Sequence, residues 1–312
     1  PGFPPISEFL QTLINPNSPP VPVGNNDCYS LTAAGTPLIT PLKADLNEDN
    51  ISWRAGLNYK ASSDSLIYAT VSKGYKAGSF PTVAPATARE LGPVTQESVL
   101  AYELGFKQAL LDDAVQMNGA IFYYDYADKQ LRGRIRDPIF GPLDALVQIP
   151  QSRVKGAEAQ IILRPMDGLY LNLAATYLDT KIEEFIGFNQ TGQLADFSGF
   201  RFPFSPKWTF VGDGQYDFGV GSRLDAFVGA NVNYNSSTTA SIGDIPQLRM
   251  KAYTLVDLRV GVQDPDRTWK FSIWGRNIFD TYYWTSANQT QDVFVRYTGK
   301  PATYGASFSY RF

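Results

Sequence analysis

The chain has 312 residues, a formal net charge of −3 and 0 His. The charge balance offers nucleic acid no basic surface, and the lack of His removes imidazole bases, His metal ligands and Ser–His–Asp triads. With 18 Tyr and 20 Phe against 3 Met, the composition favours strands over helices, and no run reaches the ~18 apolar residues of a membrane helix.

Residues 1–50 are set apart by Pro4, Pro5, Pro16, Pro19, Pro20, Pro22, Pro37 and Pro41. Proline has no ladder donor, so this segment reads as a long loop or its remnant, with one short helix at most over residues 6–14. The single Cys28 lies within it, without an internal disulfide partner. A start at Pro1, with no signal peptide, is what a piece of a longer exported protein would show.

From Ile51 onward the texture has period two. Ile51, Trp53, Ala55, Leu57 and Tyr59 alternate with Ser52, Arg54, Gly56, Asn58 and Lys60. Successive side chains of a strand point to opposite faces, whereas a helix would repeat at three and four. The same alternation recurs through Leu100–Lys107, Asp225–Tyr234 and Tyr253–Val262. It predicts about eleven strands, near 51–60, 65–77, 97–110, 114–132, 145–164, 168–183, 204–218, 222–238, 250–264, 267–283 and 300–312.

Short connections at 61–64, 111–113, 165–167, 219–221 and 264–266 alternate with long ones at 78–96, 133–144, 184–203, 239–249 and 284–299. Short periplasmic turns and long extracellular loops are the signature of an outer-membrane barrel. On that reading the strand at 51–60 runs toward the periplasm. Trp208 and Phe210 near one end of their strand, and Tyr216 and Phe218 near the other, suit aromatic girdles at the two membrane interfaces. A soluble all-β protein is the competing reading of the same pattern.

Several stretches resemble the TonB-dependent receptor family. They are ISWRAGLNYKASSDSLIYATVSKGYKAGSF at 51–80, ESVLAYELGFKQALLDDAVQMNGAIFYYDYAD at 97–128, YTLVDLRVGV with WGRNIFDTYY in 252–283, and the end of the chain from Gly299. The resemblance covers about 51–312 and not 1–50. It implies an antiparallel transmembrane β-barrel of 22 strands around a plug, of which the chain would hold the second half without plug or energy-coupling segment. The implied activity is TonB-energised import of a scarce ligand, a ferric–siderophore complex first, with a glycan, cobalamin or other nutrient as the alternative. A structural or adhesive barrel is the alternative from another class. The implied partners are outer-membrane lipids and lipopolysaccharide, the TonB complex through an N-terminal region, a small-molecule ligand, and the assembly machinery. The last would read a terminal strand with Gly305, Phe308, Tyr310 and Phe312.

No catalytic or metal-binding group and no cofactor is expected. The adjacent carboxylates Asp112–Asp113 and Glu183–Glu184 point apart on a strand and read as turn or loop charge. Charges on the polar face, namely Arg54, Lys60, Glu103, Lys107, Glu158, Asp213, Asp257, Arg259, Lys270 and Arg276, are assigned to the lumen wall. Their mixed signs favour a stiffening lattice over an open selective pore. Arg132, Arg134 and Arg136 are candidates for an anionic ligand at the mouth, with lipopolysaccharide phosphates or solvation as the alternative. Tyr282, Tyr283, Trp284, Phe294 and Tyr297 could stack on a ligand or belong to the outer girdle.

Overall fold

The computed structural model describes residues 11–12, 16–17, 43–81, 87–138, 140–290 and 293–311. Of the short helix expected over 6–14, Gln11 and Thr12 are described and are helical; Cys28 and Phe312 lie outside the described residues. The strands in chain order are β1 (Trp53–Lys60), β2 (Ser65–Lys76), β3 (Glu97–Leu110), β4 (Val115–Asp137), β5 (Gly141–Leu163), β6 (Leu169–Glu184), β7 (Ile186–Phe188), β8 (Leu194–Asp196), β9 (Trp208–Val220), β10 (Leu224–Asn235), β11 (Thr238–Thr239), β12 (Arg249–Met250), β13 (Tyr253–Gln263), β14 (Trp269–Arg276), β15 (Trp284–Thr290), β16 (Val293–Thr298) and β17 (Thr303–Tyr310). Eleven of them form one sheet in the order β1-β2-β3-β4-β5-β6-β9-β10-β13-β14-β17, each antiparallel to its neighbours. The sheet is not closed, and β1 and β17 form its two edges.

Register makes one face apolar from edge to edge. Leu57 pairs with Ala69, Ala69 with Leu104, and Leu104 with Ile121. Further round, Ile161 meets Leu173, and Val228 lies between Tyr216 and Val260. Val260 then meets Ile273, and Phe271 meets Phe308. Although they sit inside the sheet, Ile121 is 58%, Val260 52% and Ile273 54% exposed. A continuous apolar face of this extent cannot stand in water, and lipid is the solvent that suits it.

Aromatic side chains mark both rims of this face. At the upper rim Tyr177 packs on Trp208 with ring centroids 4.7 Å apart, and Trp208 stacks on Phe210 at 5.7 Å. At the lower rim Tyr216 stacks on Phe218 at 5.5 Å. From Trp208 to Phe218, at ~3.3 Å per residue and a tilt of ~40°, β9 rises about 25 Å, the height of an outer-membrane apolar band. Above the upper rim the same face turns charged. There Arg153 lies 2.6 Å from Glu183 and 3.8 Å from Asp179, with Lys155 and Lys181 beside them.

The turns at one end are tight. Gly168 has φ +78°, and a Cβ there would meet the Asp217 carbonyl oxygen at 2.0 Å, so that turn requires glycine. At the other end the connections are elaborated, which changes several expected boundaries. Residues 133–144 are not a loop, because β4 and β5 pair in register from Val115↔Leu163 to Asp137↔Gly141 and leave only 138–140 between them. The result is a two-stranded arm beyond the sheet, closed by Asp137, which accepts the Phe140 N–H at 3.0 Å. The strand expected over 267–283 ends at Arg276, and the last long connection is the β15–β16 hairpin. The β9–β10 turn also moves, since β9 runs to Val220 and β10 begins at Leu224.

Where the arm leaves the wall, Asp128 takes φ +54° and the pairing skips from Ala127↔Gln151 to Lys129↔Ile149. Tyr126 and Leu131, an odd number of residues apart, pack against one cluster, so the alternation of faces switches at this kink. That cluster, Ile149, Val154, Ile182, Phe197, Phe202 and Ile242, fastens the 184–203 loop against the inner side of the wall.

Candidate ligand-binding mouth

The inner face carries the assigned wall charges. Arg54 pairs across from Ser72, Glu103 lies between Thr70 and Phe122, Lys107 opposite Leu66 and Asn118, and Glu158 between Ala120 and Thr176. Arg276 faces Thr303, with its guanidinium 5.1 Å from the Trp274 ring centre, and Asp257 accepts the Asn277 N–H at 2.9 Å. One contact on this face spans three strands. Arg259 on β13 donates to both Asp213 carboxylate oxygens on β9, at 2.8 and 3.0 Å, and to Gln215 at 3.0 Å. It crosses β10 at Gly229, where a Cβ would stand 2.6 Å from its Nε. A side chain there would block the crossing, so glycine at this position is what allows β9 and β13 to be tied together.

Above the wall, the elaborated connections enclose a cleft of about 530 Å³. The β4–β5 arm contributes Arg132, Arg134 and Asp144, and the 184–203 loop contributes Phe185, Phe188, Phe197 and Phe200. The segment between β11 and β12 adds Ser241 and Ile242, and the β15–β16 hairpin adds Asn288 and Tyr297. Four connections remote in sequence thus converge at the end away from the tight turns.

Arg134 joins three of them. It donates to Gln190 Oε1 at 2.8 Å and to the Gln289 main-chain oxygen, and lies 3.0 Å from Asp144. Burial pulls its pKa below the usual guanidinium value, and the neighbouring Asp144 opposes that pull. Arg132 meets the other oxygen of Asp144 at 2.6 Å. Of the candidates read from the sequence, Arg132, Arg134 and Tyr297 line the cleft. Arg136 is exposed further along the arm. Tyr283 packs on Tyr253 at 4.7 Å, Arg296 covers the Trp284 ring at 4.4 Å, and Phe294 is 37% exposed on the hairpin; none of these three aromatics lines the cleft. The phenylalanines of the 184–203 loop, which do line it, carry no periodic signal and were not among those candidates.

Asp112 and Asp113 sit in a turn at φ +49° and +66°, and Glu183 is ion-paired on the outer face. Among the described residues, no group of three or more His, Cys, Asp and Glu side chains could hold a metal ion. Gly305 pairs with Trp274, Phe308 with Phe271 and Tyr310 with Trp269 along the β17 edge.

A lipid-facing antiparallel wall, two aromatic rims, tight turns at one end and a loop-built cleft at the other define a segment of an outer-membrane β-barrel. The model of the TonB-dependent receptor-like β-barrel matches residues 26–278, and the chain belongs to that family of Gram-negative outer-membrane receptors.

Solved structures share the fold. The ferric yersiniabactin uptake receptor FyuA from Yersinia pestis is 20% identical, with TM-score 0.66 over 82% of this chain and 36% of that one. The siderophore receptor PiuA from Acinetobacter baumannii is 19% identical, with TM-score 0.62 over 82% and 35%. BauA, the ferric preacinetobactin receptor of the same organism, is 19% identical, with TM-score 0.60 over 82% and 36%. The chain therefore spans about a third of the length of these receptors.

Proposed function

We propose that this chain is the C-terminal part of a receptor that imports a ferric–siderophore complex through the outer membrane, with energy from the TonB complex. The observation that carries the reading is the cleft of about 530 Å³ at the extracellular end of a lipid-facing wall. The names of the three structural neighbours, each a ferric-chelate or siderophore receptor, support the choice of ligand.

In this reading residues 51–312 are wall and residues 1–50 an extracellular segment. Consistent with that, Glu48 accepts the Gly78 N–H at 2.7 Å, docking the 43–50 stretch on the extracellular loop after β2. The edges β1 and β17 pair with further strands of the same receptor, because an unpaired backbone group in lipid costs several kcal/mol. A plug and a TonB-contacting segment belong to that remaining part. The assembly machinery reads the end of β17, with Gly305, Phe308, Tyr310 and Phe312. Lipids cover the apolar face, and lipopolysaccharide meets the charged belt of Arg153, Lys155 and Lys181 above it.

The test is the outer-membrane abundance of the full-length receptor in iron-starved and iron-replete cells, with uptake of radiolabelled ferric chelates by a deletion strain. Induction by starvation and loss of uptake on deletion are expected. Unchanged abundance with unchanged iron uptake would overturn the iron assignment and move the reading to a glycan, cobalamin or other nutrient.

A further inference from the structure

We infer that the cleft receives an uncharged aromatic group bearing a hydrogen-bond donor, and that it selects against polyanionic chelates; the inference rests on the importer reading above. The charges of the lining are two arginines, Arg132 and Arg134, against three acids, Asp144, Asp196 and Asp244. Both arginines engage Asp144, at 2.6 and 3.0 Å. Arg249 stands 2.6 Å from Asp244 at the edge of the cleft. Ser198 hydrogen-bonds to Asp196, holding its carboxyl below the usual range and therefore ionised. A polyanion would have to displace Asp144 from two guanidinium groups while facing the Asp196 carboxylate, since the Asp244 charge is met by Arg249. With both lining arginines already committed and one carboxylate opposing it, a polyanion finds no free cation to offset its loss of water.

The rest of the surface suits rings. Phe185 stacks on Phe197 at 5.7 Å, and Phe200 meets the Phe197 ring edge-on at 6.2 Å. An incoming aromatic group extends such an array in offset or edge-to-face geometry. Two side chains of the lining supply the polar requirement. Ser241 Oγ and Asn288 Oδ1 are buried without a hydrogen-bond partner, one from each of two adjoining connections that line the cleft. Asn288 Oδ1 can only accept, so it calls for a donor. Both atoms are shielded from solvent, so a ligand hydroxyl or amide reaches them only as the β11–β12 segment and the β15–β16 hairpin part.

The experiment uses the full-length receptor in detergent and the quenching of its tryptophan fluorescence by three probes. They are a ferric phenolate–thiazoline chelate of zero net charge that carries a free amide N–H on its aromatic ring, a neutral aliphatic ferric trihydroxamate, and a trianionic ferric tris-catecholate. The neutral aromatic chelate is expected to bind tightest. Its affinity should fall roughly tenfold in Asn288→Ala, the loss of about one hydrogen bond. Phe188→Ala should weaken it by a similar factor, with the trihydroxamate less affected. Tightest binding of the tris-catecholate, or of the aliphatic chelate, in the wild-type protein would overturn the inference and leave the importer reading standing. Binding of none of the three would overturn both. The ranking in the wild-type protein needs no variant to fold, and the variants are scored only where their heat-modifiable gel mobility matches wild type.

Discussion

Arg134 donates a hydrogen bond to the main-chain oxygen of Gln289, 155 residues further along the chain. The contact links the β4–β5 arm to the last extracellular hairpin, and the same guanidinium holds Gln190 of the 184–203 loop. The loops of the mouth are therefore tied to one another by a cation that is largely desolvated, in addition to being anchored at their strand ends.

Arg134→Gln should free the loops without unfolding the wall. It removes a partly buried charge-assisted contact of about 1.5–3 kcal/mol, to be discounted for what solvent still reaches. Limited proteolysis in the extracellular loops should speed up several-fold, while the thermal transition of the barrel stays in place. Unchanged protection of residues 184–203 and 284–299 would show that the tie is energetically idle.

The two faces of β10 should respond differently to one substitution. Val228 lies on the apolar face between Tyr216 and Val260, whereas Asn231 lies on the inner face between Asp213 and Asp257. An Arg at mid-membrane on a lipid face costs ~2–4 kcal/mol. Val228→Arg, and Val256→Arg on β13, should therefore reduce folding into lipid vesicles, measured by denaturant titration, while Asn231→Arg remains mild. Equal tolerance on both faces would remove the lipid-facing assignment.

Gly229 and Arg259 should behave as one unit. Gly229→Val places atoms where the Arg259 guanidinium crosses, so it should break the Asp213 contact as surely as Arg259→Ala does. The pair is about a third exposed, so each single change should cost no more than about 2 kcal/mol. The double variant should be far from additive, because the second change finds the bridge already lost. Additive costs in a double-mutant cycle would mean that Gly229 matters for some reason other than the crossing.

What could be read from the sequence follows from what has a period. The eleven wall strands alternate apolar and polar residues because one face meets lipid and the other the interior, so Val228 and Asn231 declare their sides. The arm was legible in part: Leu131, Gly133 and Ile135 continue to alternate with three arginines, and Asp137, Pro138 and Gly141 form a turn signature. Reading 133–144 as a loop stopped the strand near residue 132, short of the alternation that runs on to the turn. The cleft itself was not legible. Phe185, Phe188, Phe197 and Phe200 lie in a loop without periodicity, and only the seating of Phe197 and Phe202 against Ile149 and Ile182 brings them over the mouth. Asp144 as shared partner of Arg132 and Arg134 likewise depends on the register of β4 with β5.

The periplasmic turn between β13 and β14 should loosen in acid. Asp264 accepts the Trp269 N–H at 2.7 Å, and that bond, the largest cause, holds its carboxyl below the ordinary value of 3.8. A carboxylate whose pKa is depressed by folding contributes stability that is complete above the unfolded value and lost as pH falls through the folded one. The turn should thus keep its protection down to about pH 4 and lose it only below that. Exchange of the Trp269 amide, followed by mass spectrometry between neutral pH and pH 2, reads this directly. Asp264→Asn keeps an acceptor but no charge, so the protection factor of this amide, taken against the intrinsic rate at each pH, should be lower at neutral pH and stay constant on acidification. A variant that tracked wild type across the range would mean that the carboxylate charge does not hold the turn.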